Sequence, residues 1–258
     1  MPMHKHTIDQ HFVLPLLATR AFTYVVGQLA KSPLSRWMIP IYLLLYKINP
    51  ADAEKPWQQY RSFVEFFSRK LQTGARMMPD EQGLVLSPVD GLVMEIGTIK
   101  EGKALQAKGV TYALEELLTE GAENFAEGDF VTLYLSPRDY HRIHIPIAAT
   151  LRRIYRVAGA YFPVNQRGIK AIPGLYIKNE RVVAFLQSVK GLYVMVPVGA
   201  TVVGSIQWHT AESYRQGEEF GWFEMGSTVI LIFERGMVEF NIKKGDYIKA
   251  RAAIGVAK

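Results

Sequence analysis

Arg181-Val-Val-Ala-Phe-Leu-Gln-Ser-Val-Lys-Gly-Leu-Tyr-Val-Met-Val-Pro197 carries two short runs rich in β-branched and aromatic residues, 181–187 and 192–197, broken at Gly191. Runs of this length and composition read as strands. The same texture recurs at 91–99, 130–135, 140–145, 150–157, 200–207, 228–234 and 237–242, each bounded by Gly, Pro or Asp. Strands so short and so closely spaced predict antiparallel sheets in a barrel or sandwich. One helix, 111–118, is expected among them.

Before Leu84 the pattern is helical. Residues 8–30 and 34–48 place apolar side chains three and four apart (Phe12, Leu16, Phe22, Val25, Val26, Leu29), with Ser32-Pro33 between the two segments. Pro40 predicts a kink or restart in the second. A third helix is expected over 55–70, with Trp57, Tyr60, Phe63, Phe66 and Phe67 on one aromatic face. The fold class is therefore α+β: an N-terminal helical arm, 1–70, on a mainly antiparallel β barrel or sandwich, 71–258, as the catalytic domain.

Composition narrows the function classes. The chain has 258 residues, 49% hydrophobic and 21% charged, enough to bury a core, which excludes disorder. It has no cysteine, so thiol nucleophiles, disulfides and thiolate metal sites are excluded. The net charge is +6, of which residues 1–50 hold +4, from Lys5, Arg20, Lys31, Arg36 and Lys47 against Asp9. That segment is also apolar, but Met38–Tyr46 is far shorter than the roughly 20 residues needed to cross a bilayer. A basic, apolar arm suits an anionic membrane surface, or simply packs on the core. Phe12–Ala18 is too short and too quickly followed by Arg20 for a secretory signal. No phosphate-cradling glycine loop and no Gly-x-Ser-x-Gly elbow occurs, and basic patches with aromatics lie only in the arm, so nucleic acid is not an expected partner.

Three places remain for chemistry. Ser87-Pro88-Val89-Asp90-Gly91 sets a carboxylate at a turn. Asp139-Tyr140-His141-Arg142-Ile143-His144-Ile145-Pro146 holds two histidines three apart, which point to opposite faces of a regular strand, favouring two roles over one shared metal. Met225-Gly226-Ser227-Thr228 puts a serine behind a glycine whose unshielded carbonyl is open to attack. If Asp90 orients His144, and His144 takes the proton of Ser227, the three form an Asp–His–Ser relay. Each element alone is also compatible with a turn, a polar surface or a strand cap.

Taken together the motifs resemble the bacterial phosphatidylserine decarboxylases, over roughly residues 55–235. The likeness is carried by Arg61–Phe67, Asp90-Gly91, Leu105–Gly109, Tyr134–Pro146, Phe162–Asn165, Asn179–Arg181, Val198–Ile206 and Gly226–Thr228. The family's usual Leu-Gly-Ser-Thr is Met-Gly-Ser-Thr here, and Gln207–Met225 is short. The resemblance implies self-cleavage between Gly226 and Ser227 into a β chain, 1–226, and an α chain, 227–258. It implies that Ser227 becomes a pyruvoyl group that decarboxylates phosphatidylserine to phosphatidylethanolamine through a Schiff base, with no metal and no pyridoxal phosphate. It further implies Asp90, His144 and Ser227 in the cleavage relay, His141 in decarboxylation, and Tyr140 and Asn165 at the substrate. The implied assembly is a β–α heterodimer, pairing as a homodimer, peripheral on the cytoplasmic face of the cell membrane. His209 is expected to be structural. A serine hydrolase, a pyruvoyl enzyme for a soluble amino acid and a non-catalytic lipid-binding module are the competing classes.

Overall fold

The computed structural model describes residues 20–107, 110–200 and 206–258. Its centre is an eight-stranded sheet in the order 213–214, 149–157, 181–188, 191–199, 227–233, 129–135, 91–98, 247–248. Every pairing between these strands is antiparallel. The 181–188 and 191–199 runs pair as neighbours through the turn at Gly191, as their spacing predicts. Three smaller sheets, 84–86 with 253–257 and 238–240, 206–208 with 219–223 and 142–144, and 103–107 with 110–113, complete a layered α+β fold without a closed barrel.

Ser227–Phe233 lies in the middle of the large sheet, and all seven of its residues are buried. Alternation divides them: Val229, Leu231 and Phe233 join one core cluster, Ile230 and Ile232 the other. Ser227 shares the parity of Val229. It pairs with Leu135 on one side and Gly199 on the other. A strand held along its length by two neighbours keeps its place even if the chain is cut at its first residue.

Expectation and structure differ at several elements. The segment 111–118 is half strand: Val110–Ala113 pairs with Lys103–Ala107, and only Leu114–Leu118 is helical. Val110, Thr111 and Tyr112 are strand formers, and the neighbouring hairpin strand decides the matter. The long helix expected over 55–70 is a single turn, Phe63–Phe67, because Ser62 is extended and caps it by accepting from Glu65 N at 3.2 Å. The helix expected over 8–30 is Arg20–Lys31, its first part lying outside the described residues. After Ser32 the chain runs through a 3-10 turn, Pro33–Trp37, before Met38–Tyr46 restarts as α-helix with Pro40 in the first turn, where no N–H partner is lost. The expected strand 200–207 is described only at Ile206–Trp208. The stretch 207–225 forms strands of its own, Ser213–Tyr214 and Glu219–Phe223.

The arm's aromatic residues do pack together. Tyr42, Tyr60, Phe63, Phe66 and Phe67 form a third core cluster that reaches Met225, just before Gly226. The arm therefore sits on the end of the sheet where Ser227 begins.

Candidate active site

Three sequence-distant segments meet at that end of the sheet. Asp90-Gly91 enters the strand Gly91–Thr98 beside Tyr134, so close that a Cβ on Gly91 would lie 2.9 Å from Tyr134 O. Only glycine fits there, which explains the Asp-Gly pair. The histidine segment is tied to the Asp90 turn by His144 N donating to Pro88 O at 2.8 Å. It is tied to the segment before Ser227 by Phe223 N donating to His141 O at 2.9 Å.

Asp90 is 2% exposed. Its carboxylate receives Arg76 through Nε at 2.8 Å and Nη2 at 2.5 Å, and Ala250 N at 2.7 Å. Burying this charge is tolerable only because the guanidinium fork matches it. Arg76 is a site residue that the sequence reading missed, and Gly74-Ala75-Arg76 carries no local signal of its partner.

The two histidines have different surroundings, as their spacing predicts. His144 Nδ1 lies 3.1 Å from Gly217 O, so that nitrogen carries the proton and donates; Nε2 then accepts from Tyr140 O–H at 3.1 Å. The Tyr140 ring stacks on the imidazole at 5.7 Å. Burial first, then the Arg251 charge, lowers the His144 pKa to about 4. His141 Nδ1 donates to Asp139 O at 2.9 Å, and its ring lies 4.0 Å from that of Phe67 in the arm. Its Nε2 is buried and has no hydrogen-bond partner among the described residues. Burial lowers its pKa to about 3. Both rings are thus neutral bases at physiological pH.

Ser227 is wholly buried, and its Oγ also has no hydrogen-bond partner among the described residues. Gly226 shows no left-handed backbone, and a Cβ there would meet only Ala200 Cβ at 3.6 Å, an ordinary contact. The glycine is therefore not required by the fold.

The segments of Asp90, His144 and Ser227 converge, but no hydrogen bond joins the three side chains: Asp90 is held by Arg76, and His144 by Tyr140 and Gly217. Tyr140 is buried and touches His144. Asn165 is exposed and caps the helix Gln166–Ala171, accepting from Gly168 N at 2.9 Å. His209 contacts Glu219, which also receives Arg142, and lies against Trp222. That network braces the 207–225 stretch. Among the described residues no group of three His, Asp or Glu gathers as metal ligands would.

The family model for phosphatidylserine decarboxylase matches residues 63–256. The chain belongs to the phosphatidylserine decarboxylase family. A phosphatidylserine decarboxylase proenzyme of Brevibacillus brevis is 37% identical over 94% of this chain and 95% of its own length. Those of Albidiferax ferrireducens and Coxiella burnetii are 38% and 37% identical, over 90% and 87% of this chain and 92% and 89% of theirs. Membership makes the chain a decarboxylating enzyme, and the family match runs through all three converging segments.

Proposed function

We propose that this enzyme decarboxylates phosphatidylserine to phosphatidylethanolamine and CO₂, using a pyruvoyl group that it makes from Ser227 by cutting its own chain. The observation that carries the reading is the Ser227 hydroxyl, buried and unpartnered directly behind Gly226 in a relative of proenzymes. A buried hydroxyl without a partner costs free energy, which a nucleophile repays in function.

In this reading Ser227 Oγ attacks the Gly226 carbonyl as His144 takes its proton, with Asp90 supporting the charge that develops. The amide becomes an ester; loss of the α-proton then expels the Gly226 carboxylate and leaves dehydroalanine. Tautomerisation and addition of water release ammonia and leave a ketone at the new N-terminus. His144 must exchange Tyr140 for Ser227 to act, a side-chain turn that its neutral, lone-pair Nε2 permits. The α chain, 32 residues, stays paired within the sheet.

The pyruvoyl group supplies an electrophilic carbonyl for the substrate amine and an electron sink for the departing CO₂. Ser227 fits it, being wholly buried yet carrying no hydrogen bond that its conversion would break. His141 Nε2, a free lone pair on a neutral ring, is the group assigned to take up the proton that the substrate ammonium gives up on binding and to return it to the product carbon, a role worth roughly 10²–10⁴-fold. Tyr140 keeps His144 oriented, and Asn165 is left with its cap.

The arm supports a peripheral membrane role. Among the described residues no helix is long and apolar enough to cross a bilayer. Leu29, Leu34, Trp37, Ile41, Leu44 and Leu45 are all more than half exposed, an apolar face that a lipid surface would cover. A cavity of about 350 Å³, lined by Leu29, Leu34, Trp37, Met38, Phe63 and Met225, runs from this face to the residue before Gly226. In this reading it admits a lipid acyl chain. The cytoplasmic leaflet and a homodimer of the β–α pair complete the assignment.

The test is the denatured intact mass of the purified protein beside Ser227→Ala, His144→Ala and His141→Ala. Two fragments meeting at Gly226/Ser227, the smaller with a blocked terminus, are expected for the wild type and His141→Ala only, with His141→Ala failing to release CO₂. One uncut chain in every case, with the fold sound, refutes the pyruvoyl reading.

A further inference from the structure

Beside the Asp90 turn lies a second, polar cavity of about 200 Å³, between the arm and the β domain. It is below the size of a pocket for a whole lipid or drug-sized ligand, and it suits a small polar group. Three cations line it: Lys47 and Arg69 from the arm side, and Arg138 from the turn before the histidine segment.

Arg69 is the unusual one. It is 5% exposed, and its Nη1 is buried with no hydrogen-bond partner among the described residues. Its contact with the Phe66 ring, 5.0 Å from the guanidinium, satisfies the face of the group and none of its donors. A guanidinium does not shed its proton in a protein, so a buried one with a free N–H is a charge left without its best partner, an anion.

The carboxylates at the cavity do not meet that need. Asp90 is saturated by Arg76 and Ala250 N. Asp52 faces Arg76 at 3.8 Å. Asp139 accepts from Ser136 N at 2.7 Å, Ser136 Oγ at 2.8 Å and Tyr247 O–H at 2.7 Å, and Arg138 Nε stays 3.8 Å away. Lys47 is exposed and has no ion pair among the described residues. With Arg76 counted, four cations face three carboxylates, leaving one positive charge to be balanced.

We propose that Arg69, with Lys47 and Arg138, forms a binding site for a phosphate monoanion, the phosphodiester of the lipid headgroup. The identification of the lipid rests on the decarboxylase reading above; the anion site itself does not. Arg69 binds from the buried end, and Lys47 and Arg138 close the solvent side.

Titration calorimetry on the full-length protein, at fixed ionic strength, tests it by binding. Glycerophosphoserine and glycerophosphoethanolamine should both bind saturably. Binding should weaken at least tenfold in the pair Lys47→Gln/Arg138→Gln and be lost in Arg69→Gln. The pair changes exposed residues only, so it decides the matter if Arg69→Gln does not fold. Tighter binding of inorganic phosphate than of either diester overturns the headgroup assignment and makes this a free-phosphate site. Binding of the serine compound alone shows that its carboxylate is recognised, and overturns the phosphate assignment. No saturable binding, or binding undiminished in the folded variants, overturns the site. Anion binding intact in a protein that neither cuts itself nor releases CO₂ refutes the enzyme mechanism while leaving the site standing.

Discussion

At Gly226 the fold and the chemistry can be separated. A methyl group there meets only the Ala200 side chain at 3.6 Å, so Gly226→Ala should fold with stability within about 1 kcal/mol of the wild type. Its cut should nevertheless be slowed, because the methyl shields the carbonyl that Ser227 attacks. Thermal melting and the fraction cut with time check both halves; unslowed cutting would remove steric access as the reason for the glycine. His141 and His144 make a second prediction. Their folded pKa values, about 3 and about 4, lie below the ordinary 6.5 because burial disfavours the charged ring. The unfolded chain takes up these protons as the pH falls below about 6.5, and the folded chain does not until near 4 and 3. The stability held by neutral burial is therefore complete above pH 6.5. It is lost on acidification, at up to about 1.4 kcal/mol per pH unit for each ring. Urea midpoints between pH 7.5 and 5 should fall accordingly, and the slope should lessen in His141→Gln; an unchanged slope contradicts the buried-neutral assignment.

The single helical turn Phe63–Phe67 is the element that joins the arm to the site. Four of its five residues are buried, and Phe67 packs against Tyr42 and Phe63 on the arm and against His141 in the β domain. Truncating it leaves a hole between the two. Phe67→Ala should cost about 3–5 kcal/mol in urea unfolding. A loss below about 1 kcal/mol would mean that the arm unfolds independently of the sheet. Nearby, Lys31 at the end of Arg20–Lys31 reaches Glu224 at 2.7 Å, three residues before Ser227. This lysine, a membrane contact by composition alone, has its charge matched within the protein. It is about two-fifths exposed, and such pairs are worth roughly 0–1 kcal/mol, so its role is in aligning the segment before Gly226 more than in stability.

For the molecule as a whole the question is what covers the arm. Its exposed apolar residues, Trp37, Leu44 and Leu45 foremost, share the arm with Arg36 and Lys47, both exposed. Association should combine apolar insertion with up to about 1 kcal/mol per cation at an anionic leaflet, the second part fading with salt. Triple substitution of Trp37, Leu44 and Leu45 by Ser should abolish sedimentation with anionic vesicles while leaving self-cleavage intact. Reversal of Arg36 should weaken it at low salt only. Vesicle binding unaffected by the triple change would move the membrane contact elsewhere.

The strand texture, the aromatic arm and the three polar motifs were legible along the chain, because alternation and helical spacing are local and leave a local pattern. From these the antiparallel fold and the family likeness followed. The same local reading put Thr111–Leu118 wholly in a helix and drew 55–70 as one helix. A strand partner and an extended capping serine, neither visible in spacing, decided those segments. At the site the limit is sharper. Asp90, His144 and Ser227 were nameable from their motifs, but the occupation of Asp90 by Arg76 and of His144 by Tyr140 and Gly217 was not. Nor was the unpaired guanidinium of Arg69 beside Lys47 and Arg138. Residue types and their spacing determined which groups this protein has for chemistry. Only the tertiary structure decided which of them are already spoken for, because hydrogen-bond partners and buried charge are set by segments far apart in the chain.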